Sequence, residues 1–593
     1  MLRDKWLIHY DPQISSAKDI LESIIQFQKS NPAYLNSESS VANHPDPSIP
    51  IHHLDYSQNA SQPLYQKQAL DPTFFSHPVS LNTGPKIHTV GLYNPVQLSD
   101  KRWQTIHLTT SAIFLGSALQ EKRFNVIAGK QVMPAIAPEP RLMSCDAVGF
   151  TLFEDLFLPF QTFLTQLRHE FHYDRLLAAG GPLITLNPLQ AAYFLPELNL
   201  LVRGEAELIF PALLSAINDN NLEKLFTYHG FMLQVPGWFI LSHLHYINRP
   251  QFQPDFRFNL AFLEKKHFEE GLEINVSRGC SRSCIFCSAV QGKTLRKLPE
   301  SQFTHLLASF AQQLETFAIE SPRARTVNIN DDDILQDPAY AQRIFQIIQQ
   351  QQFRLWGIQT SINSFFNSRQ EIQHHVLDII AEPSLYMENS PLIWLGTDAF
   401  LKERGKKLGK TIPDEPLFLE LMEAFDEREI RNYHYWISSD HFSNWPEFVS
   451  EFILIYHLYK EFPYFGLIAH APFLVPYSST PLYRLLDHSP ERTSRIKFKR
   501  ILESHKKLFI LPLVERIETP HINLNRLLNN EKLGSDWGFF DYLSQKDYLN
   551  ALITLYNFLK QERIEAESNQ NHQLVQQLKQ SEQNLEELLS QEI

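Results

Sequence analysis

Between Lys86 and Asp219 the chain alternates short apolar runs with longer amphipathic ones. KIHTVGLYN (86–94), FNVIAG (124–129), CDAVGFTLF (145–153), LLAAGGPLITL (176–186) and LNLLVRGEAE (198–207) read as buried strands. TSAIFLGSALQEKR (110–123), LPFQTFLTQLRHEF (158–171) and LIFPALLSAIND (208–219) carry apolar residues at helical spacing. Apolar strands that alternate with helices predict a parallel sheet covered on both faces, with ligands at the carboxyl ends of the strands. No Gly-x-Gly-x-x-Gly follows any of these strands, so an ordinary dinucleotide site is not expected.

A second alternating run begins at Leu272. LEINVSRG (272–279), RTVNIND (325–331), RLWGIQTS (354–361), PLIWLGTD (391–398), NYHYWISSD (432–440) and GLIAHAPF (466–473) read as strands separated by helical stretches. About six βα units suggest an open or partial barrel, whose chemistry gathers at the carboxyl ends of its strands. The expected fold class is therefore α/β: a Rossmann-like parallel-sheet domain over 86–240, then a partial (βα)6 TIM-type barrel over 255–490. Residues 1–85 read as an irregular extension, rich in Ser, Asn, Pro and His from about position 30. Residues 491–593 read as a helical region ending in a polar helical tail with a sparse Leu/Val stripe, either solvated or a poor partner-binding coiled coil.

Composition narrows the class of protein. A chain of 593 residues is too long for one ordinary core. A net charge of −13 argues against a dedicated nucleic-acid binder. No apolar run has the length of a membrane span, and the N-terminus lacks the apolar core of a signal peptide. With four cysteines in the whole chain, a reducing cytoplasm fits better than a disulfide-built secreted scaffold.

Three of those four cysteines, Cys280, Cys284 and Cys287, fall within INVSRGCSRSCIFCSAVQGK (274–293). A closed structural zinc site wants four ligands, and so does an ordinary [4Fe–4S] cluster. Three thiolates leave one metal position open, where a substrate can bind. Small and polar neighbours, Gly279, Ser281 and Ser283, let backbone amides approach sulfur. The alternative is a three-cysteine zinc site completed by a histidine such as His243 or His245. Further carboxylates and amides stand at later strand ends: Asn330, Asp331, Asp332 and Asp333, then Gln359, then Asp398. Three adjacent aspartates repel one another and call for a nearby cation.

Cys280, Cys284, Phe286 and Cys287 resemble the Cys-x3-Cys-x-aromatic-Cys signature of the radical S-adenosylmethionine enzymes. The resemblance implies a [4Fe–4S] cluster on the three cysteines and S-adenosylmethionine on the open iron. One electron then cleaves the sulfonium to yield a 5′-deoxyadenosyl radical. It puts Phe286 near the adenine, Asn330, Asp331 and Asp332 at the methionine end, and Gln359 and Asp398 near the methionine or ribose groups. LKERGKKLGK (401–410), with Lys410, resembles the family's lysine-containing loop. FLVPYSSTPLYRLL (473–486) resembles its last-strand segment, with Ser479 in place of the usual glycine.

Residues 86–219 resemble the cobalamin-binding domain found ahead of many such enzymes, through YNP at Tyr93, VGFTLF around Thr151, Gly180-Gly181-Pro182 and VRGEAE at Val202. The resemblance assigns Thr151, Gly180 and Gly181 to the cofactor's nucleotide tail. The Asp-x-His-x-x-Gly cobalt-ligating motif is absent, and retention of cobalamin stays open. With cobalamin, methyl transfer to an unactivated carbon or phosphorus is expected. Without it, radical oxidation or rearrangement is expected, and a non-enzymatic Fe–S carrier or sensor is the third reading. The implied partners are a small-molecule substrate and a flavodoxin, ferredoxin or reductase as electron donor.

Overall fold

The computed structural model describes residues 5–9, 81, 85–97, 110–133, 137–153, 157–235, 238–242, 246–288, 290–437, 445–469, 480–482, 515–517 and 545–572, with parts of 573–586. The chain separates into two compact units. One is Met1–Glu273 with Ala289–Gly292 and Arg296–Ala324; the other is Ile274–Ser288 with Lys293–Leu295 and Arg325–Ile593. The helix Glu300–Thr316 therefore belongs to the first unit.

The first unit is built on an eight-stranded sheet. Its strands are β1 (Lys5–His9), β2 (Thr89–Gln97), β3 (Asn125–Met133), β4 (Ala147–Thr151), β5 (Leu176–Gly180), β6 (Leu200–Val202), β7 (Phe231–Val235) and β8 (Trp238–Ser242). In space they run β1-β8-β7-β6-β5-β4-β2-β3. β3, β2, β4, β5 and β6 are parallel; β6 to β7, β7 to β8 and β8 to β1 are antiparallel. The parallel part is doubly wound, and its order reverses between β2 and β4, the place where such sheets open a crevice for ligands. One face is covered by Phe160, Phe163, Leu164 and Leu167 of the helix Phe157–His169, the other by Phe210, Leu213 and Leu214 of the helix Ile209–Asn218. Both faces are apolar, as the strand pattern predicts.

Three local features depart from the sequence reading. LLAAGGPLITL is not one strand: β5 stops at Gly180, Gly181 adopts φ +90°, and Pro182 opens the short helix Pro182–Leu186. A left-handed glycine followed by a proline with no N–H to donate ends the ladder there. The hairpin partners β7 and β8 lie outside the alternating runs, although FMLQV and WFILS flank Pro236-Gly237, a turn signal. The N-terminal extension contains β1, which adds to the edge of β8.

A second sheet is built from β9 (Leu272–Ile274), β12 (Thr326–Ile329), β13 (Arg354–Ser361), β14 (Leu392–Asp398), β15 (Arg431–Trp436), β16 (Phe465–Ala469) and β17 (Glu515–Ile517). Its order is β17-β16-β15-β14-β13-β12-β9, and β12 to β17 lie in the second unit. Two short strands, β10 (Ser277–Arg278) and β11 (Arg296–Lys297), precede and follow the cysteines in sequence. β12 through β16 are parallel neighbours in chain order, and β17 is antiparallel to β16. The sheet does not close on itself, which is the open barrel the six-fold alternation predicts. Helices Pro338–Gln350, His374–Ile380, Glu415–Asp426 and Trp445–Glu461 fall between successive strands.

The C-terminal helix Gln545–Ser568 packs on Trp445–Glu461. The Tyr456 and Phe558 rings lie 5.4 Å apart at right angles, and Lys460 pairs with Glu562 at 3.1 Å and Glu565 at 2.9 Å. Leu555 and Leu559 of this helix are fully buried, as is Leu578 of the tail beyond it.

Candidate functional site

The cysteine loop leaves β10 and is stitched to its surroundings by backbone. Ile285 N–H donates to Leu408 C=O at 3.0 Å, Leu482 N–H donates to Ile285 C=O at 2.9 Å, and Ser281 N–H donates to the Gln336 amide oxygen at 2.9 Å. Phe286 is half-buried against Ala399, Leu408 and Ile437. None of the four cysteines is in a disulfide. Cys280 and Cys284 are half-buried and Cys287 is exposed. Burial pushes the Cys280 thiol up to about 11. It also raises that of Cys284, against the opposite pull of the Lys410 ammonium. Cys145 is wholly buried in the core of the first unit, where its Sγ donates to Arg141 C=O at 3.3 Å and burial pushes its thiol up to about 12.

Among the described residues no three His, Cys, Asp or Glu side chains converge as ligands of a single metal ion. In a cubane each thiolate takes its own iron, so its sulfurs need not meet at one point. His243, His245 and Ser479 lie outside the described residues.

The acidic run after β12 divides into three different environments. Asp331 is fully buried and faces inward: its carboxyl accepts from Val276 N–H and Ser277 N–H at 2.8 Å each and from Ser277 Oγ at 2.5 Å. Burial pushes this acid up to about 7, against the lowering effect of those donors. Asp332 is exposed. Asp333 is buried and accepts from Thr360 Oγ1 at 2.7 Å, Ser361 N–H at 3.3 Å, Ser364 Oγ at 2.8 Å, and Arg282 Nε and Nη2 at 3.3 and 3.2 Å. The cation that the aspartate run calls for is thus supplied to Asp333 from within the cysteine loop. Asn330 is half-buried; its N–H donates to Ile274 C=O at 3.0 Å.

Gln359 lies half-buried in β13, in register with Trp394 of β14. β14 carries a register shift between Leu395 and Asp398, and Asp398 adopts φ +64°. Its carboxylate pairs with Lys410, whose side chain is 5% exposed. Gly396 leaves room for that ammonium, which would stand 3.2 Å from a Cβ there. Tyr435 is pushed up to about 12 by burial, with the Asp398 charge adding to it. Asp398, Lys410 and the thiol of Cys284 therefore form one electrostatic neighbourhood.

Behind this loop stands a support that the sequence did not announce. Glu451 is fully buried and accepts from Phe400 N–H at 2.7 Å, Leu401 N–H at 3.1 Å and Trp436 Nε1 at 2.9 Å, and it pairs with the buried Arg404, which also donates to Ile437 C=O. Beside it the neutral ring of His434 is held between Thr397 Oγ1 at 2.7 Å and Asn432 Oδ1 at 2.9 Å. The amide oxygen can only accept, so Nε2 carries the proton and Nδ1 accepts from the hydroxyl.

In the first unit Thr151 closes β4 in register with Gly180 of β5. A Cβ on Gly181 would strike the Leu152 N and O at 2.8 and 2.9 Å, so the chain itself requires glycine there. At Gly180 the nearest atom to such a Cβ is the Val202 carbonyl oxygen at 3.6 Å, ordinary contact that leaves its backbone approachable. Val132 near the end of β3, Phe153 beyond β4 and Leu208 beyond β6 are exposed apolar side chains along the carboxyl ends of the parallel strands.

No protein-family model matches the chain, and no curated protein matches it in sequence. Solved structures do match. The radical S-adenosylmethionine methyltransferase TsrM from Kitasatospora setae, with cobalamin and a [4Fe-4S] cluster bound, is 16% identical with a TM-score of 0.50, covering 69% of this chain and 79% of that one. The cobalamin-dependent S-adenosylmethionine radical enzyme OxsB, with aqua-cobalamin and S-adenosylmethionine bound, is 15% identical with a TM-score of 0.52, covering 81% and 67%. OxsB with aqua-cobalamin alone is 16% identical with a TM-score of 0.51, covering 76% of this chain and 62% of that one. The chain has the fold of these cobalamin-dependent radical S-adenosylmethionine enzymes.

Proposed function

We propose that this chain is a radical S-adenosylmethionine enzyme with a cobalamin-type first unit, acting on a small molecule and transferring a methyl group to an unactivated carbon or phosphorus. The observation that carries the reading is the cysteine loop: three cysteines outside any disulfide sit within eight residues, while the fourth is sealed in the core of the other unit. The donor set fits a cubane held by three thiolates, with Cys280, Cys284 and Cys287 as its ligands. When bound, the cluster supplies one-electron reductive cleavage of S-adenosylmethionine, and cobalamin supplies methyl transfer.

The residues around the loop have distinct tasks. Phe286, fixed by Ala399, Leu408 and Ile437, offers an aromatic face to an adenine. Asn330 and exposed Asp332 meet the methionine end, while Asp331 keeps the turn closed through Val276 and Ser277. Gln359 and Asp398 stand at strand ends, where they would orient the ligand through hydrogen bonds. In the first unit Thr151 and Gly180 line the carboxyl edge, and Gly181 lets the backbone turn there. A flavodoxin- or ferredoxin-type donor would supply the electron. Among the described residues no helix is long and apolar enough to cross a membrane.

Anaerobic reconstitution with iron and sulfide tests the reading. The expected result is a cubane spectrum in the parent, perturbed by S-adenosylmethionine, formation of 5′-deoxyadenosine on reduction, and loss of all three in Cys284→Ala. A zinc-loaded protein that binds no S-adenosylmethionine would overturn it. A cobalamin absorption band, with S-adenosylhomocysteine formed beside deoxyadenosine, supports methyl transfer. Deoxyadenosine alone points to cobalamin-independent radical chemistry.

A further inference from the structure

We propose that Arg282 is a positioning residue that fastens the thiol-bearing loop to the ends of β12 and β13 before any cluster is loaded. This rests on the cysteine loop being the cluster site. Arg282 lies between Cys280 and Cys284 in sequence. Its guanidinium reaches Asp333 Oδ2 through Nε at 3.3 Å and Nη2 at 3.2 Å, and Nη2 also donates to Ser364 Oγ at 2.8 Å. Ser364 Oγ in turn donates a hydrogen bond to Asp333 Oδ1 at 2.8 Å. Thr360 Oγ1 at 2.7 Å and Ser361 N–H at 3.3 Å donate to the same oxygen.

Asp333 is 1% exposed, and Arg282 supplies its cation. A buried carboxylate held by an arginine fork and two hydroxyls has one preferred geometry, because each donor is directional and the carboxylate itself is out of water. The loop end that carries the fork is held with it. Lys293 adds a tie on the other side by donating to the Arg282 carbonyl. A lysine in place of Arg282 keeps the charge but cannot bridge carboxylate and hydroxyl with one planar group. Loading a metal on thiols already held in place avoids the ordering cost that a floppy loop would add.

Thiol accessibility in the cluster-free protein reads this without any activity assay. Cys280 and Cys284 are half-buried, so alkylation by iodoacetamide reports loop opening, and wholly buried Cys145 reports unfolding of the first unit. In Arg282→Ala the labelling of Cys280 and Cys284, followed by peptide mass spectrometry, should accelerate about tenfold or more, the loss expected for charge-assisted hydrogen bonds. Cys145 should stay unlabelled. Arg282→Lys should fall between, and the reconstituted alanine variant should lose iron to a chelator faster than the parent. Unchanged labelling in Arg282→Ala overturns the proposal. If that variant also exposes Cys145, Ser364→Ala decides, since it keeps both charges: faster labelling of the two loop thiols supports the clamp, and parental rates reject it. A parent that takes up no iron defeats the cluster reading while leaving the labelling result to stand or fall separately.

Discussion

Ile285 donates its backbone N–H to the carbonyl of Leu408 at 3.0 Å, so the cysteine loop and the turn that closes the helix Lys402–Lys407 are joined through main chain. The next residue, Gly409, sits at φ +69°, and a Cβ there would stand 2.6 Å from the Ser283 carbonyl oxygen and 3.2 Å from Ile285 N. Gly409→Ala should therefore cost about 1–3 kcal/mol in backbone strain, before any clash is relieved. The loop must yield rather than the helix, because Arg404 and Glu451 hold the helix from behind. Reduced iron per chain after reconstitution, with far-ultraviolet dichroism unchanged, is the expected outcome. Parental iron content would mean that the turn does not seat the loop.

The Glu451–Arg404 pair is a second test of that support. Both side chains are essentially unexposed, and Glu451 also holds the successive amides of Phe400 and Leu401 just ahead of the helix Lys402–Lys407. Glu451→Gln keeps the shape but leaves the guanidinium without its counter-charge, which should cost about 3–5 kcal/mol. Replacing both partners by methionine should recover much of that loss, since the desolvation of two ions disappears with them. Denaturant unfolding of the three variants, monitored by tryptophan fluorescence, gives the comparison. A single variant as stable as the parent would show that the pair does not support the helix Lys402–Lys407.

What could be read from the sequence was the periodic part. RLWGIQTS coincides with β13, and PLIWLGTD holds β14, because buried strands announce themselves through apolar runs and their bounding turns. The cysteine spacing was legible for the same reason: it is local. The partners of that loop were not. Arg282 and Asp333 are 51 residues apart, and Glu451 reaches Leu401 across 50. Nothing in a local window pairs them. The aspartate run shows the limit clearly. Repulsion within it predicted a cation but could not say that Asp331 turns inward to Ser277 while Asp333 takes the arginine.

His434 makes the stability of the second unit depend on pH. The ring is buried among Phe400, Phe418 and Phe465, and burial lowers its pKa from the ordinary value near 6.5 to about 3. Above pH 6.5 neither folded nor unfolded chain protonates it, and its contribution is full. Below 6.5 the unfolded chain takes a proton that the folded chain refuses until about pH 3, so stability falls as pH falls, by about 1.4 kcal/mol per pH unit from this group. Urea midpoints at pH 7.5, 6.5 and 5.5 should decline more steeply in the parent than in His434→Gln, which cannot titrate. Parallel declines would place the acid sensitivity elsewhere.

Gly180 and Gly181 separate what the fold needs from what a ligand needs. Gly181 turns the chain at φ +90° with backbone at 2.8 and 2.9 Å from where a Cβ would stand, so Gly181→Ala should destabilise the first unit whether or not it binds anything. Gly180 is crowded by nothing nearer than 3.6 Å, and Gly180→Ala should fold with parental stability. If a nucleotide tail runs along this edge, the added methyl occupies its path, and cobalamin affinity should drop by about tenfold or more, a loss of roughly 1.4 kcal/mol. Titration of each variant with aqua-cobalamin by absorbance, beside its thermal melt, resolves the two effects. A Gly180→Ala protein that binds cobalamin as tightly as the parent would remove the edge between β4 and β5 from the binding surface.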